Sequence, residues 1–226
     1  MRPYIICHMI ESVDGRIDCS MTEKIDDTDH YYEVLDKLDC PSSLEGKVTL
    51  EMHYADGNNF EPQNSSDKAG AMTFKTKQSG GYAVGVDTKG TLLWGNNTEE
   101  LFGKPLIMLL SENASKEYTE YLKSKNISFI CIGEGKIDLP KAMEILRAEF
   151  GIERLAVTGG GHINGSMLEA GLIDEISMMY ASGIDARGGM AASFDGRSHE
   201  KEPIRLNLKN VEVLDDIIWA RYTIRK

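Results

Sequence analysis

The second half of the chain alternates between short apolar runs and longer amphipathic stretches. The runs have the length of buried strands and cover residues 105–110, 127–132, 153–157 and 174–180. Between the first two runs, the spacing predicts a helix with Tyr118, Tyr121 and Leu122 on one face. This alternation of strand and helix predicts right-handed crossovers and a parallel sheet, which is typical of the α/β class.

Capping residues mark the helix that is predicted between the second and third runs. Asp138 is a good N-cap, and Gly151 lies just past the last apolar position. The stripe expected to face the core consists of Ala142, Met143, Leu146 and Phe150. A shorter helix is expected over residues 164–170, after a run of glycines.

The first half of the chain is less regular. Residues 4–10 predict a buried strand and residues 30–38 a short helix. Residues 47–54, KVTLEMHY, predict a strand or the turn after one. Residues 56–70 are rich in Asp, Asn, Ser and Gly and predict a surface loop. Residues 72–94, which Gly80-Gly81 and Lys89-Gly90 interrupt, predict two or three antiparallel strands.

The C-terminal stretch, residues 208–224, has the pattern of an antiparallel hairpin. Apolar side chains alternate at Val211 and Val213, and again from Ile218 to Ile224, with two aspartates between them. We expect this hairpin to close an edge of the sheet. No stretch has the composition of a linker, so the pattern predicts a single domain over residues 1–226.

Composition and charge narrow the classes of function. The 226 residues are 41% apolar and 27% charged, and no apolar run is long enough to predict a membrane span. The N-terminal apolar patch lacks a small-residue cleavage site, so we expect a strand there and a cytoplasmic protein. A net charge of −11 disfavours a nucleic-acid partner, but it does not exclude a small anionic ligand.

The four cysteines are Cys7, Cys19, Cys40 and Cys131. None lies in CxxC spacing, and no histidine pair accompanies them, so we expect no metal site. Free thiols in a reducing compartment are the expected state.

Residues 158–165, TGGGHING, carry the clearest local signal for a ligand. They follow the apolar run at 153–157 and precede a predicted helix. A strand, a glycine turn and a helix N-terminus form an anion site, because free backbone N–H groups and the helix dipole both favour negative charge. The alternative is a tight turn that lets the helix pack closely on the sheet. The pattern is not GxGxxG, so the spacing leaves both interpretations open.

Three stretches resemble the reductase domain of the riboflavin-biosynthesis deaminase/reductase, within the dihydrofolate-reductase-like superfamily. ESVDGRI at 11–17 is similar to the family's N-terminal SLDGR/K motif, and LEGKVTLE at 44–51 is similar to its GR-x-T turn. FGIERLAVTGGGHINGSMLEAGLIDEI at 150–176 is similar to the family's glycine loop and following segments almost throughout. The sequence contains no His-x-Glu with Pro-Cys-x-x-Cys, the signature of the deaminase half.

The resemblance implies an NADPH-dependent reductase with a dihydrofolate-reductase-like, mostly parallel α/β sheet flanked by helices, usually a homodimer. It implies that the cofactor pyrophosphate is lined by Gly159, Gly160, Gly161, His162, Ile163, Asn164 and Gly165. It also implies that Gly46, Lys47 and Thr49 hold phosphate at a second helix or turn start. Ser111 would meet the adenosine 2′-phosphate, and Ile10 would contribute backbone beside the nicotinamide.

These residues also have structural alternatives. Lys47 could be a solvated surface lysine, Thr49 a β-former, and Ser111 a cap of the next helix. His162 is better explained as a turn residue than as a catalyst. The acidic pair at 174–175 is better explained as a strand start, with one carboxylate capping and the other solvated.

In the family, the substrate is a ribosylamino-pyrimidine phosphate whose opened sugar is reduced to a ribityl chain. Asp14 could orient the polar edge of such a substrate, and Arg16 could bind its phosphate. The same Asp-Gly pair is also a strong turn signal. Hydride transfer needs alignment of two planar groups more than a strong acid, so we assign no catalytic side chain.

The chain departs from the family at its substrate residues. Thr158 stands where the family has a glutamate before the glycine loop, and residues 50–62 hold no arginine. Lys37 could replace one arginine, and Arg187 and Arg197 could supply positive charge. Three hypotheses stay open: a reductase of the riboflavin intermediate, a reductase of another carbonyl or imine such as a pteridine-like compound, and a non-catalytic nucleotide-binding module.

Overall fold

The computed structural model describes residues 1–25, 29–95 and 99–225. Its strands are β1 (Tyr4–Ser12), β2 (Ser42–Gly46), β3 (Asp56–Asn59), β4 (Met72–Phe74), β5 (Ala83–Val86), β6 (Leu92–Leu93), β7 (Glu100–Leu101), β8 (Lys104–Leu110), β9 (Ser128–Cys131), β10 (Arg154–Gly159), β11 (Glu175–Ala181), β12 (Leu206–Leu214) and β13 (Ile217–Ile224). Its helices are α1 (Cys19–Ile25), α2 (Asp29–Lys37), α3 (Lys47–His53), α4 (Lys116–Ser124), α5 (Leu139–Phe150) and α6 (Gly161–Glu169).

The chain divides into two compact units. Unit 1 consists of Met1–Pro3 and Pro41–Glu153, and unit 2 consists of Tyr4–Cys40 and Arg154–Lys226. The single domain expected over residues 1–226 stays a prediction. No helix among the described residues is both long enough and apolar enough to cross a bilayer.

Unit 1 is built on a mostly parallel sheet in the order β2-β5-β8-β9-β4. The first four strands run parallel, and β4 pairs antiparallel with β9 at the end of this order. Its apolar core includes Leu50, Trp94, Tyr118 and Phe129, which are almost completely buried. Parallel strands put their carboxyl ends at one edge, so the residues after β2, β5 and β8 meet there.

Helix α5 begins at its predicted N-cap, and α4 begins directly after Ser115, which is not among the predicted caps. Ser115 Oγ accepts the N–H of Tyr118 at 3.1 Å, and an Asp138 carboxylate oxygen accepts the N–H of Lys141 at 3.0 Å. Gly151 ends α5 in the left-handed conformation, with φ of 73°. The predicted apolar stripe of α5 is buried. These helix predictions are confirmed.

Two predictions in unit 1 are wrong. Residues 72–94 do not form an antiparallel set: β4 pairs with β9, β5 lies parallel between β2 and β8, and β6 pairs with β3. Residues 47–53 form helix α3 and not a strand. Burial of Leu50 outweighs the modest preference of valine and threonine for strands, since tertiary packing routinely overrides propensity.

Unit 2 has a sheet in the order β12-β13-β11-β1-β10. Strand β1 pairs parallel with β10 and β11, and β13 pairs antiparallel with both β11 and β12. The predicted C-terminal hairpin is therefore confirmed, and β12 is the last strand of the order. On one face, Ile6, Met179 and Trp219 pack with Val34 and Leu38. The predicted α/β class, with a mostly parallel sheet, flanking helices and an antiparallel hairpin, is confirmed.

The sequence predicts one solvated carboxylate at the acidic pair 174–175. This prediction is wrong, because Glu175 is buried. Its carboxylate accepts hydrogen bonds from Lys209 Nζ at 2.7 Å and from the Arg221 guanidinium, both supplied by the hairpin. Burial opposes ionisation, but these two hydrogen bonds outweigh it and hold the pKa of Glu175 below its ordinary value. Asp174 does cap the sheet as predicted, because its carboxylate accepts the N–H of Ile5 at 2.8 Å.

His8 lies completely buried in a hydrogen-bond network of unit 2. Its Nε2 lies 3.2 Å from the carbonyl oxygen of Tyr31, which can only accept, so Nε2 carries the proton. Its Nδ1 then accepts from Ser177 Oγ at 3.0 Å, and Ser177 Oγ accepts from Trp219 Nε1 at 2.8 Å. Burial lowers the pKa of His8 to about 4. The network therefore suits the neutral imidazole.

We expect this histidine to make folding pH-dependent. In the unfolded chain its pKa is near 6.5, so the unfolded state binds the proton first and stability falls as pH drops from 6.5 towards 4. The loss between pH 7 and pH 5 is about 2 kcal/mol. Urea denaturation of the wild type and of His8→Gln across this range measures it. If the free energy of unfolding depends on pH equally in the two proteins, His8 is not the group responsible.

Among the described side chains, the cysteines Cys7, Cys40 and Cys131 are free. The side chain of Cys19 lies outside the described part of the chain. Within the described ranges, no three His, Cys, Asp or Glu side chains are grouped so as to hold a metal ion.

Candidate functional site

The glycine segment of unit 2 joins β10 to α6 with almost no loop. Gly159 is the last residue of β10, Gly160 is the N-cap with φ of 88°, and Gly161 is already the first helical residue. The helix therefore begins three residues before the predicted start at Asn164, whose N–H donates to the Gly160 carbonyl at 3.1 Å. A left-handed φ explains why position 160 is glycine.

The N-terminus of α6 is suited to an anion. No side chain among the described residues caps it, and the first N–H groups of a helix have no partner within the helix. Such a terminus carries about half a positive charge. His162 is exposed in this first turn and Ile163 is buried. These N–H groups are available to an anion, and the pyrophosphate contact that the resemblance implies stays a prediction.

A second contact explains two of the glycines. We call residues 192–195 the strap, because they lie across α6. A Cβ at Gly161 would overlap the carbonyl oxygen of Ala192, and a Cβ at Gly165 would overlap that of Asp195. The Asp195 N–H also donates to the Gly161 carbonyl at 3.0 Å. The alternative of close packing is therefore realised at these two positions. The ligand role of Gly165 stays a prediction.

Asn164 positions the helix rather than facing outward. It is completely buried, and its Nδ2 donates to the carbonyl of Ser193 in the strap at 2.8 Å. Ser193 Oγ in turn donates to Glu11 Oε2 at 2.5 Å. Burial raises the pKa of Glu11. Glu11 carries no predicted role, although a carboxylate inside the apolar β1 sequence is a visible signal.

The register of unit 2 places Ile10 and Thr158 on one face of the sheet. Cys7 of β1 lies opposite Val157 of β10, so His8 and Thr158, each one residue further along its strand, point to the same face. Successive side chains alternate between faces, which puts Ile10 on the side of His8 and Thr158. The predicted neighbour of the nicotinamide and a predicted substrate residue are thus brought to the same face.

Asp14 and Arg16 are both engaged by their own chain. The Asp14 carboxylate accepts from Ser12 Oγ at 2.7 Å and from the N–H groups of Asp185 and Ala186, which lowers its pKa to about 2. Arg16 Nη1 donates to the Met190 carbonyl at 3.0 Å. The turn interpretation therefore has direct support, and their substrate roles stay predictions.

The other predicted cations of unit 2 are dispersed. Lys37 is the exposed last residue of α2, and no contact among the described residues joins it to Asp14 or Arg16. Arg187 is paired with the carboxylates of Asp18 and Asp185, and Arg197 is paired with Glu169 at 2.9 Å. Their charge is thus largely neutralised within the chain.

In unit 1, the predicted cofactor residues meet at the carboxyl ends of β2, β5 and β8. Gly46 ends β2, and Lys47 and Thr49 lie in the first turn of α3. Lys47 Nζ donates to Thr91 Oγ1 at 2.7 Å and lies 3.2 Å from a Glu51 carboxylate oxygen. Lys47 is therefore held in place and is not a freely solvated lysine.

Ser111 follows β8 and is buried. Its Oγ donates to the carbonyl of Thr88 at 2.8 Å. A phosphate can only accept here, so the hydroxyl would have to turn away from Thr88 to contact one; the phosphate role of Ser111 stays a prediction. Both Lys47 and Ser111 are thus bound to residues 87–91, DTKGT, for which the sequence predicts no functional role. The Lys-Gly pair there signalled only a turn.

The architecture defines an α/β protein whose parallel strands lead into an anion-accepting helix N-terminus and a lysine-bearing edge. Residues 91–218, more than half of the chain, match the RibD C-terminal domain family. The chain belongs to this family.

Known relatives agree with this assignment. The chain is 33% identical over 125 residues to the 2,5-diamino-6-ribosylamino-4(3H)-pyrimidinone 5′-phosphate reductase of Methanothermobacter thermautotrophicus. That match covers 54% of this chain and 56% of the relative, so it spans little more than half of the relative's length.

Solved structures share the fold at lower identity. RibD of Acinetobacter baumannii superposes with a TM-score of 0.71 at 18% identity, over 99% of this chain and 58% of that one. A pyrimidine reductase-like protein of Corynebacterium diphtheriae superposes with a TM-score of 0.70 at 16% identity, over 99% of this chain and 92% of that one. The riboflavin biosynthesis reductase Rib7 of Saccharomyces cerevisiae superposes with a TM-score of 0.62 at 20% identity, over 99% of this chain and 90% of that one. These structures confirm the predicted fold.

Proposed function

We propose that this chain is an NADPH-dependent reductase of riboflavin biosynthesis. Its substrate would be a ribosylamino-pyrimidine 5′-phosphate, whose opened ribose accepts a hydride. The observation that carries the proposal is the 33% identity with a curated reductase of such a compound. The uncapped N-terminus of α6 supports it independently, because a coenzyme pyrophosphate needs such a group of N–H donors.

The residues present fit NADPH. Within unit 2, Gly160 and the first N–H groups of α6 suit a pyrophosphate. Within unit 1, Lys47 and Ser111 would hold the additional phosphate that distinguishes NADPH from NADH. When bound, the coenzyme supplies the hydride. The chain's own contribution is orientation: β1 would present the backbone of Ile10 beside the nicotinamide, and Thr158 would contact the substrate on the same face.

A second candidate is a reductase of the same fold with a different carbonyl or imine substrate. Thr158 favours it, because a threonine hydroxyl cannot replace the charge of the family's glutamate.

We further propose that the protein acts as a cytoplasmic homodimer with small-molecule partners only. Light scattering of the purified protein tests the dimer, and a monomeric mass would contradict it.

The test of function is an NADPH oxidation assay with two substrates. The first is the 2,5-diaminopyrimidinone ribosylamine phosphate and the second is its deaminated uracil counterpart. We expect turnover of at least one, with NADPH preferred over NADH. Coenzyme binding without turnover of either would favour the second candidate. Absence of coenzyme binding would contradict the reductase assignment altogether.

A further inference from the structure

The turn formed by residues 87–91 of unit 1 is organised by a buried carboxylate, Asp87. This residue follows β5 directly and is completely buried. Its Oδ2 accepts the N–H of Thr91 at 2.5 Å and that of Leu92 at 2.8 Å. Its backbone N–H donates to the Leu109 carbonyl at 3.0 Å, and its carbonyl accepts from Gly90 at 3.0 Å. One side chain therefore closes the whole turn.

Tight packing leaves this turn little freedom. Gly90 has φ of 71°, and a Cβ there would overlap the ring of Tyr118. The Tyr118 hydroxyl is buried and donates to the Leu92 carbonyl at 2.8 Å. Burial, and then the nearby Asp87 carboxylate, raise the pKa of Tyr118 well above its ordinary value. The other oxygen of Asp87, Oδ1, is buried and has no hydrogen-bond partner among the described residues.

The turn connects the two residues assigned to the coenzyme's additional phosphate. Thr91 Oγ1 accepts from Lys47 Nζ at 2.7 Å, and the Thr88 carbonyl accepts from the backbone N–H of Ser111 at 3.0 Å, a link that remains when the Ser111 hydroxyl turns towards a phosphate. Strand pairing explains this connection, since β5 lies between β2, which leads to Lys47, and β8, which leads to Ser111. A displacement of the turn would move both residues together.

We propose that Asp87 is a positioning residue for NADPH recognition: by closing the 87–91 turn, it places Lys47 and Ser111 where the additional phosphate binds. This role rests on the proposed function. Asp87 itself is completely buried, so it would act through the turn and not by contact with the coenzyme. A buried carboxylate whose second oxygen lacks a partner is costly to keep, and the connection to Lys47 and Ser111 gives a reason for retaining it.

The test compares coenzyme discrimination, defined as the Kd for NADH divided by the Kd for NADPH. In Asp87→Asn, we expect this ratio to fall about tenfold through weaker NADPH binding, with NADH affinity changed by less than about twofold. Thr91→Val removes only the acceptor of Lys47, so we expect a fall of about threefold. The double variant should be no worse than Asp87→Asn, because both changes act through the same turn.

Asp138→Ala is the matched control. It removes the N-cap of α5, which lowers the stability of the same unit without touching the turn. Its discrimination ratio should equal that of the wild type. If Asp87→Asn and Asp138→Ala keep equal ratios, the positioning role is overturned. If Asp87→Asn does not fold in the absence of urea, Thr91→Val carries the test, and an unchanged ratio there overturns the role.

These outcomes separate the two proposals. A wild-type protein that binds neither coenzyme overturns the proposed function and the role of Asp87 with it. A wild-type protein that prefers NADPH, while the variants keep that preference, overturns the role of Asp87 alone.

Discussion

Gly165→Ala is expected to destabilise the protein by about 3 kcal/mol, although alanine is the better helix former. Within α6, propensity alone would favour alanine by about 1 kcal/mol. The added Cβ, however, would overlap the carbonyl oxygen of Asp195 in the strap. Relief requires a backbone shift of the strap or the helix, and backbone overlap of this kind is among the severe causes of destabilisation. Urea denaturation followed by circular dichroism measures the difference.

Gly188→Ala is the control for this variant. Gly188 lies in the loop that leads to the strap, and an added Cβ there would have no atom within 4 Å. Its stability should stay within about 0.5 kcal/mol of the wild type, as for most surface changes. A gain in stability for Gly165→Ala would mean that the strap does not lie on α6.

Gly160→Val is expected to weaken NADPH binding by about 100-fold, equivalent to about 2.7 kcal/mol. The N-cap conformation of Gly160, with φ of 88°, is strained for any side chain and most of all for a β-branched one. The helix start would have to rearrange, and the free N–H groups proposed to hold the pyrophosphate would move with it. Quenching of protein fluorescence on NADPH titration measures the affinity, with Trp94 and Trp219 as reporters.

Gly171→Val separates this effect from general strain. Gly171 follows α6 at its other end, has φ of 66° and has open space around an added Cβ. Valine there introduces the same conformational strain far from the helix N-terminus, so NADPH affinity should change by less than about threefold. Retained affinity in Gly160→Val would remove the assignment of the glycine segment to the coenzyme. Equal losses in both variants would trace the effect to stability.

Asn164 and Glu11 show how far sequence reasoning about the site could reach. The glycine motif pointed to Asn164 as a cofactor residue. Its side chain instead binds the strap at Ser193, which lies 29 residues further along the chain. Glu11 bonds to the same strap and was visible only as a charge within an apolar strand. Both roles depend on a segment with no strong pattern of its own, so no local rule could have found them.

The sequence by itself determined the elements whose signals are local: the runs that became β8 to β11, helix α4 with its apolar face, the capped helix α5, the C-terminal hairpin, and the family motif around the glycines. Only the tertiary structure decided that residues 47–53 are helical, that β5 lies between two parallel strands, and that the strap packs on Gly161 and Gly165. The physical reason is the distance along the chain over which each effect acts. Periodicity and capping act over a few residues, whereas burial and strand pairing depend on partners that are distant in the chain.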